Sequence, residues 1–265
     1  MTTGAPIPDR HELYERAVQS PSRQARFLRA LLGADRNGTI TLGEDFSAAG
    51  AIARAFCALD PAHRAVCVDI DQKALDRLTE MLAPGLRDAL TTRCIDVFGA
   101  HDPVDILAAL NFSLCEIHDR NRLIGYLRNA KERLGADGYL VADLYGGLDA
   151  MSIGESEEEL ADGTRYVWEQ RSADPLTGRV VNAMHFHLPT GETLRDAFLY
   201  DWRLWTIPEL RDAMTEAGFR STEVHDRLGA AIDEDGVLHT LAVTDPDELD
   251  ETYVVYVVAR TGETP

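Results

Sequence analysis

Apolar positions change their spacing along this chain, and those changes divide it. Over the first 36 residues they recur at helical spacing: Leu13, Tyr14 and Val18, then Phe27, Leu28, Leu31 and Leu32 after a fresh start at Ser20–Pro21. Serine as a cap with proline in the first turn is a helix start. From Thr39 to Leu144 short apolar runs alternate with helical stretches. This predicts strands at 39–43, 65–69, 91–95, 104–110 and 138–144, and helices at 47–59, 72–82 and 119–134 with Asp71 and Asp119 as caps. The Asp96–Pro103 connection is too short for a helix. Such alternation predicts a parallel, doubly wound sheet.

The alternation breaks at 146–205. After the polar stretch Gly146–Gly163 come three extended runs, RYVWEQRS, RVVNAMHFHL and TLRDAFLYDWRLW, joined by turn signals at 174–178 and 189–191. They predict an antiparallel meander. Thr206-Ile207-Pro208-Glu209 offers a capping box for a helix that Gly218 closes. Runs at Ser221–Val224 and at 252–260 (TYVVYVVAR) finish the chain.

Composition narrows the function classes. A chain of 265 residues fits one large domain, and 45% apolar with 27% charged residues is ordinary for a globular protein. Apolar runs fall short of the ~20 residues that span a bilayer, and MTTGAPIPDRHE lacks a signal-peptide core, so a cytoplasmic protein with no membrane partner is expected. Cys57, Cys67, Cys94 and Cys115 lack zinc-site spacing and read as reduced core residues. A net charge of −19 argues against nucleic acid as a partner. The acidic runs Glu155–Glu159 and Asp245–Glu251 read as solvated loops.

The richest stretch is Thr39–Leu75, which reads as strand, tight turn, small-residue helix, second strand and then Asp69 at that strand's tip. In an open parallel sheet, ligands bind beyond the carboxyl ends of the strands, and an acid about 20 residues after the turn accepts from ribose hydroxyls. Gly50 and Asp69 are 19 apart. Asp69 competes with a simple capping role, but Asp71 is there to cap; Glu44–Asp45 competes with a plain polar strand end. The pattern predicts a nucleoside cofactor. His185 and His187 project to one side of a strand without a visible third ligand, and are read as outer-face residues with no metal. Phe198, Tyr200 and Trp202 share a strand face, either a core seam or the wall of a substrate pocket. Tyr14 and Gln19 are either lid residues or helix packing. Neither a G-x-S-x-G elbow nor a P-loop occurs. A nicotinamide-dependent oxidoreductase remains a competing class, although G-x-G-x-x-G is absent.

Five parallel strands, a late helix and a final strand pair, with LWTIPELRDAMTEAGF followed by VVYVVAR, resemble the class I S-adenosylmethionine-dependent methyltransferases over about residues 37–145 and 200–260. LYERAVQSP followed by a Glu-Asp-Phe turn also resembles a bacterial subgroup of that family. The resemblance implies an α/β fold: a doubly wound, Rossmann-like, mostly parallel seven-stranded sheet with a helical N-terminal segment and a small antiparallel β cap. It implies a single domain, with a lid at 1–36, a core at 37–145 and 206–265, and a substrate cap at 146–205. The implied reaction is methyl transfer from S-adenosylmethionine to an N, O or C nucleophile of a small molecule.

By the same resemblance, Glu44-Asp45-Phe46-Ser47-Ala48-Ala49-Gly50 takes the place of an acidic-x-Gly-x-Gly-x-Gly loop. Glu44 would reach the cofactor's amino group, while Phe46, Ser47, Ala48 and Gly50 wrap it. Asp69 with Ile70 would hold the ribose, Asp96 with Val97 the adenine, and Asn111 with Phe112 the methyl-transfer site. From their own positions, Tyr14 would close over the cofactor, and His118, which equally suits a helix start, and Tyr200 are the candidate general bases. Phe46 and Ala48 stand where glycine is usual, and glycine tolerates positive φ. A phenylalanine there must turn its ring away from the cofactor or along it. A degenerate, non-catalytic binding or assembly protein is therefore the alternative, and a homodimer is left open.

Overall fold

The computed structural model describes residues 8–33, 36, 38–226, 228–229, 231–232 and 238–262. The polar start read at residues 1–7 lies outside the described residues. The chain divides into two compact units, Met1–Ser20 with Met151–Trp202, and Pro21–Ala150 with Arg203–Pro265.

The smaller unit begins with α1 (Arg10–Val18) and continues through β6 (Gly154–Glu159), β7 (Arg165–Asp174), β8 (Arg179–His187) and β9 (Thr193–Arg203). These strands form one sheet ordered β6-β7-β8-β9, antiparallel where β7 pairs with β6 and β8. Leu13 of α1 packs with Tyr166, Met184, Phe186, Leu188 and Ala197. Strand β6 corrects the loop expected at Glu155–Glu159. All its residues are exposed, and Glu157 pairs with Arg165 of β7 at 3.1 Å. A run of glutamates suits an edge strand, because charge discourages further strand addition.

The larger unit runs α2 (Pro21–Ala30), β1 (Thr41–Asp45), α3 (Ala51–Leu59), β2 (Arg64–Asp69), α4 (Gln72–Met81), β3 (Leu90–Cys94), β4 (Val104–Ala109), α5 (Arg120–Arg133) and β5 (Leu134–Gly147). It ends with α6 (Ile207–Ala217), β10 (Ser221–His225), the small pair β11 (Ala231–Ile232) and β12 (Leu238–His239), and β13 (Thr252–Arg260). Its seven-stranded sheet is ordered β10-β13-β5-β4-β1-β2-β3. Strands β1 to β5 pair in parallel, and β13 runs antiparallel to both β5 and β10. Phe27, Leu28, Ile52, Phe56, Leu75 and Leu78 pack one face from α2, α3 and α4. Leu123, Ile124, Leu127, Leu210 and Met214 pack the other from α5 and α6. The sheet is doubly wound. The N-terminal stretch read as one segment is shared: α1 belongs to the smaller unit and α2 to the larger.

The caps are where side-chain chemistry puts them. Asp71 accepts from Lys73 N–H, Asp119 accepts from Arg122 N–H, and Thr206 and Glu209 form a capping box. The boundaries around the first turn differ from expectation. Strand β1 extends to Asp45, and α3 starts only at Ala51, so 46–50 is a turn rather than helix. The polar end of β1 can be strand because both acids find partners inside. Cys94 also departs from its core reading: it is exposed, while Cys57, Cys67 and Cys115 are buried.

Asp45 is 1% exposed. Its two oxygens accept from Arg133 Nη1 at 3.0 and 2.8 Å, and Oδ2 also accepts from the Tyr126 hydroxyl at 2.9 Å. Burial pushes this carboxyl up, and the Arg133 charge opposes that push. Gly43 makes room for the arrangement. A Cβ there would lie 2.6 Å from Leu107 Cδ1 and 3.3 Å from Arg133 Nη2. Next to Asp45, Glu44 is 4% exposed, and its Oε2 accepts from Ala53 N–H at 2.7 Å, in the first turn of α3. Burial pushes the Glu44 carboxyl up to about 8, against that hydrogen bond and the nearby Arg54.

Removing one partner of a buried pair leaves an uncompensated charge. Arg133→Met is therefore expected to lower unfolding stability by about 3–5 kcal/mol, and Tyr126→Phe by about 1 kcal/mol. Urea denaturation checks both, and equal small losses would deny the pair its structural role. For Glu44 the sign comes from a folded value above the unfolded one. The unfolded carboxyl ionises above roughly pH 4 while the folded one holds its proton, so stability drains away as pH rises toward about 8. Glu44→Gln keeps the acceptor for Ala53 and does not titrate. Its stability relative to wild type should rise through this window, by something on the order of 1–3 kcal/mol at pH 8. Denaturation at pH 5 and pH 8 reads this difference, and a pH-independent difference contradicts it.

Candidate functional site

Beyond the carboxyl ends of β1, β2, β3 and β4 the larger unit holds a cavity of about 280 Å³. Its lining includes Phe46 from the first turn, Asp69 and Ile70 from the tip of β2, Asp96, Val97 and Phe98 after β3, and Glu116, Ile117 and His118 after β4. Asp119 and Arg122, at the start of α5, complete it. The position is the one that parallel-sheet topology reserves for ligands.

The first turn is built from left-handed residues. Phe46, Ala48 and Gly50 have φ of 55, 45 and 59°, at alternate positions. The backbone path is thus the one glycine would favour, held here by side chains and strand edges. Ser47 N–H donates to Val68 carbonyl at 3.1 Å, Gly50 N–H to Ser47 carbonyl at 2.7 Å, and Ala48 N–H to Asp69 Oδ2 at 2.7 Å. Gly50 is required for packing as well, since a Cβ there would lie 2.1 Å from Leu78 Cδ1. The Phe46 ring is half-buried and leans on Tyr126, with centroids 6.0 Å apart. It forms part of the cavity wall.

Asp69 does two jobs. Its Oδ2 ties down the first turn and its Oδ1 accepts from Asp71 N–H at 2.8 Å. A carboxylate has about four lone-pair sites, so two remain for a ligand. Ile70 beside it is an apolar side chain 75% exposed on the cavity wall. Asp96 caps the short turn Val97–Gly99 through Phe98 N–H at 3.0 Å. Phe98 packs edge-on to Tyr126, and the Arg122 guanidinium lies 4.9 Å from its ring centre. Tyr126 therefore supports Phe46 and Phe98 together while its hydroxyl reaches Asp45. Sequence patterning missed Tyr126 and Arg133, because nothing in a helical run shows which polar group will meet a buried acid.

Asn111 and Phe112 lie at the tip of β4, outside the residues that line the cavity, and both have positive φ. Glu44, Ser47, Ala48 and Gly50 likewise do not line it; Glu44 is turned into α3. His118 does line it, half-exposed, with its carbonyl accepting from Arg203 Nη1 at 2.9 Å. Tyr14 and Tyr200 belong to the smaller unit. There Tyr14 packs on Phe198 at 5.1 Å, and the Tyr200 hydroxyl donates to Met184 Sδ at 3.5 Å. Trp202 is buried and Tyr200 lies 4.4 Å from it, while Tyr200 and Phe198 are half-buried against the core of that unit.

Of the two strand histidines, His187 stays half-exposed, its Nδ1 3.1 Å from Thr193 Oγ1, while His185 departs from its outer-face reading in being buried. The Nε2 of His185 lies 2.9 Å from Glu169 Oε2, and its Nδ1 accepts from Asp196 N–H at 2.9 Å. Glu169, His185 and Asp196 thus converge in the way a metal site requires. Arg171 already sits against both carboxylates and supplies the positive charge they need.

The donor set fits a nucleoside. Ile70, Val97, Phe98 and Ile117 offer apolar walls for a flat base, and Asp69 and Asp96 offer acceptors for hydroxyl and amino groups.

No family model matches the chain, and no curated protein matches its sequence. Solved structures do resemble it. The CcbJ methyltransferase from Streptomyces caelestis is 17% identical, with TM-score 0.69 over 91% of this chain and 90% of that one. An S-adenosylmethionine-dependent methyltransferase from Clostridium acetobutylicum is 12% identical, with TM-score 0.70 over 96% and 98%. CalS10 from Micromonospora echinaspora, an amino pentose methyltransferase solved with S-adenosylmethionine bound, is 12% identical, with TM-score 0.66 over 94% and 95%. Likeness at such identities is likeness of fold. The chain folds as the class I S-adenosylmethionine-dependent methyltransferases do.

Proposed function

We propose that this protein transfers a methyl group from S-adenosylmethionine to an N, O or C nucleophile of a small molecule. The observation that carries the reading is the cavity at the strand tips, where Asp69, Asp96 and an apolar slot lie together in a methyltransferase fold. Compared structures with stated acceptors, CalS10 among them, act on small molecules, which favours that acceptor class here. When bound, the cofactor supplies an intrinsically activated sulfonium methyl group. The chain's contribution is then mainly alignment, which is worth up to ~7–11 kcal/mol for well-oriented reactants.

Asp69 would accept from both ribose hydroxyls with its two remaining lone-pair sites. Ile70, Val97 and Phe98 would enclose the base, and Asp96 would accept from its exocyclic amine. His118, on the cavity wall, is the described residue of the larger unit best placed to take a proton from an acceptor that must lose one. A general base adds about 10²–10⁴ to such a step. The orientation of Phe46, toward Tyr126 with the cavity open beside it, favours this reading over that of a blocked relic.

Calorimetry should show S-adenosylmethionine or S-adenosylhomocysteine binding on the order of micromolar, and nicotinamide dinucleotides far more weakly. Tight dinucleotide binding with no response to S-adenosylhomocysteine would sink the proposal. Asp69→Asn removes the charge and sets an amide N–H₂ against backbone donors. It should weaken S-adenosylhomocysteine binding by roughly tenfold or more, since charge-assisted hydrogen bonds contribute about 1.5–3 kcal/mol each. An unchanged dissociation constant in a folded variant removes Asp69 from the site.

Phe46→Gly separates enzyme from relic. Relief of left-handed strain, about 1–2 kcal/mol, is offset by glycine's chain entropy of about 0.5–1 kcal/mol and by the ring's lost packing on Tyr126. Stability should fall or stay level, and cofactor affinity should not improve. Binding that appears only in the glycine variant would identify the natural protein as non-catalytic.

A further inference from the structure

The connection from β4 to α5 opens with a pair that backbone sterics disfavour. Asn111 and Phe112, consecutive and not glycine, have φ of 62 and 61°. Their N–H groups both meet one side chain: Asn111 donates to Asp143 Oδ2 at 2.9 Å and Phe112 to Oδ1 at 2.7 Å. Asp143 sits on β5 immediately after Ala142, the residue paired with Ala109 at the end of β4, and is 4% exposed. An acid so placed forfeits hydration, and these donors are what make its burial tolerable.

The residues after the pair are pinned as well. The Ser113 hydroxyl donates to Leu110 carbonyl at 2.6 Å. The Trp205 indole N–H donates to the Leu114 and Ile117 carbonyls at 3.2 Å each, and Arg203 holds the His118 carbonyl. The segment then delivers Glu116, Ile117 and His118 to the cavity. Its far end is therefore fixed by Trp205 and Arg203, and its near end by Asp143.

We infer that Asp143 is a positioning residue of the site: its carboxylate locks the left-handed Asn111–Phe112 pair and so holds the near end of the segment that carries the Glu116–Ile117–His118 wall against a bound nucleoside. The inference rests on the methyl-transfer reading for the identity of that nucleoside. The locking itself does not.

The test is a cycle of Asp143→Asn, the double variant Asn111→Gly/Phe112→Gly, and the triple variant. Two quantities are read: the dissociation constant for S-adenosylhomocysteine, and amide hydrogen exchange over residues 113–118 in the ligand-free protein. Asp143→Asn should weaken binding roughly tenfold, about 1.4 kcal/mol, and speed exchange over 113–118 more than elsewhere. With glycine at both positions the left-handed turn needs no lock, so the same change should move binding by less than about threefold. An unchanged dissociation constant in folded Asp143→Asn, or equal losses in both backgrounds, overturns the inference; so does unaltered exchange over 113–118. Should Asp143→Asn fail to fold, Asp143→Glu takes its place in the cycle, because it keeps the charge and displaces the oxygens by one methylene. A wild type silent to S-adenosylhomocysteine would overturn the methyl-transfer reading, while the exchange cycle would still decide the role of Asp143.

Discussion

The site depends on carboxylates that reach sideways from one strand to hold the turn leaving its neighbour. Asp69, at the end of β2, takes the N–H of Ala48 in the turn after β1; Asp143, on β5, takes the N–H groups of Asn111 and Phe112 after β4. In each case the residues held have positive φ and carry side chains. Without a partner the chain would relax toward ordinary turns, and the cavity walls those turns carry would move with it. Parallel strands present their tips side by side, so a lateral acid is a natural device in this topology.

The device explains how a turn without its usual glycines keeps the glycine path. Left-handed backbone costs about 1–2 kcal/mol per residue, and Phe46 and Ala48 both incur it. The N–H bonds at Ser47, Ala48 and Gly50 offset part of that cost, and the Phe46 ring recovers more by packing on Tyr126. Tyr126 is itself anchored to Asp45, which Arg133 neutralises. Strain at the first turn thus leads through an aromatic contact to a buried ion pair on β1 and α5. The same tyrosine backs Phe98, so the walls after β1 and after β3 share one support.

Sequence pattern reaches the fold because periodicity and caps are local. The alternation from Thr39 to Leu144, Asp71 and Asp119 as caps, the Thr206–Glu209 box and the last strand at 252–260 are all in the structure. Asp69, read from the strand pattern, lines one cavity together with Ile70, Asp96 and Val97, which the family resemblance names. Pairings between residues far apart in the chain are what the pattern does not carry. Arg133 lies 88 positions from Asp45, and Asp143 lies 32 from Asn111. Nothing in a helix pattern marks an arginine as destined for a buried acid. The glutamates of β6 hide their strand for a related reason: an edge strand with both faces in solvent has no apolar alternation to show.

Charge around the cavity adds a last constraint. Asp69, Asp96, Glu116 and Asp119 face it, and Arg122 is the one lysine or arginine among the described residues that line it, in a chain of net charge −19. Clefts lined by one sign of charge concentrate ligands of the other sign. A cationic sulfonium cofactor is favoured by such a field, and a dinucleotide with two phosphates is opposed by it. The same acids that would hold the nucleoside thus also discriminate by charge. This charge tells against the competing nicotinamide reading alongside the absent glycine motif, since the acids lining the cavity oppose a pyrophosphate.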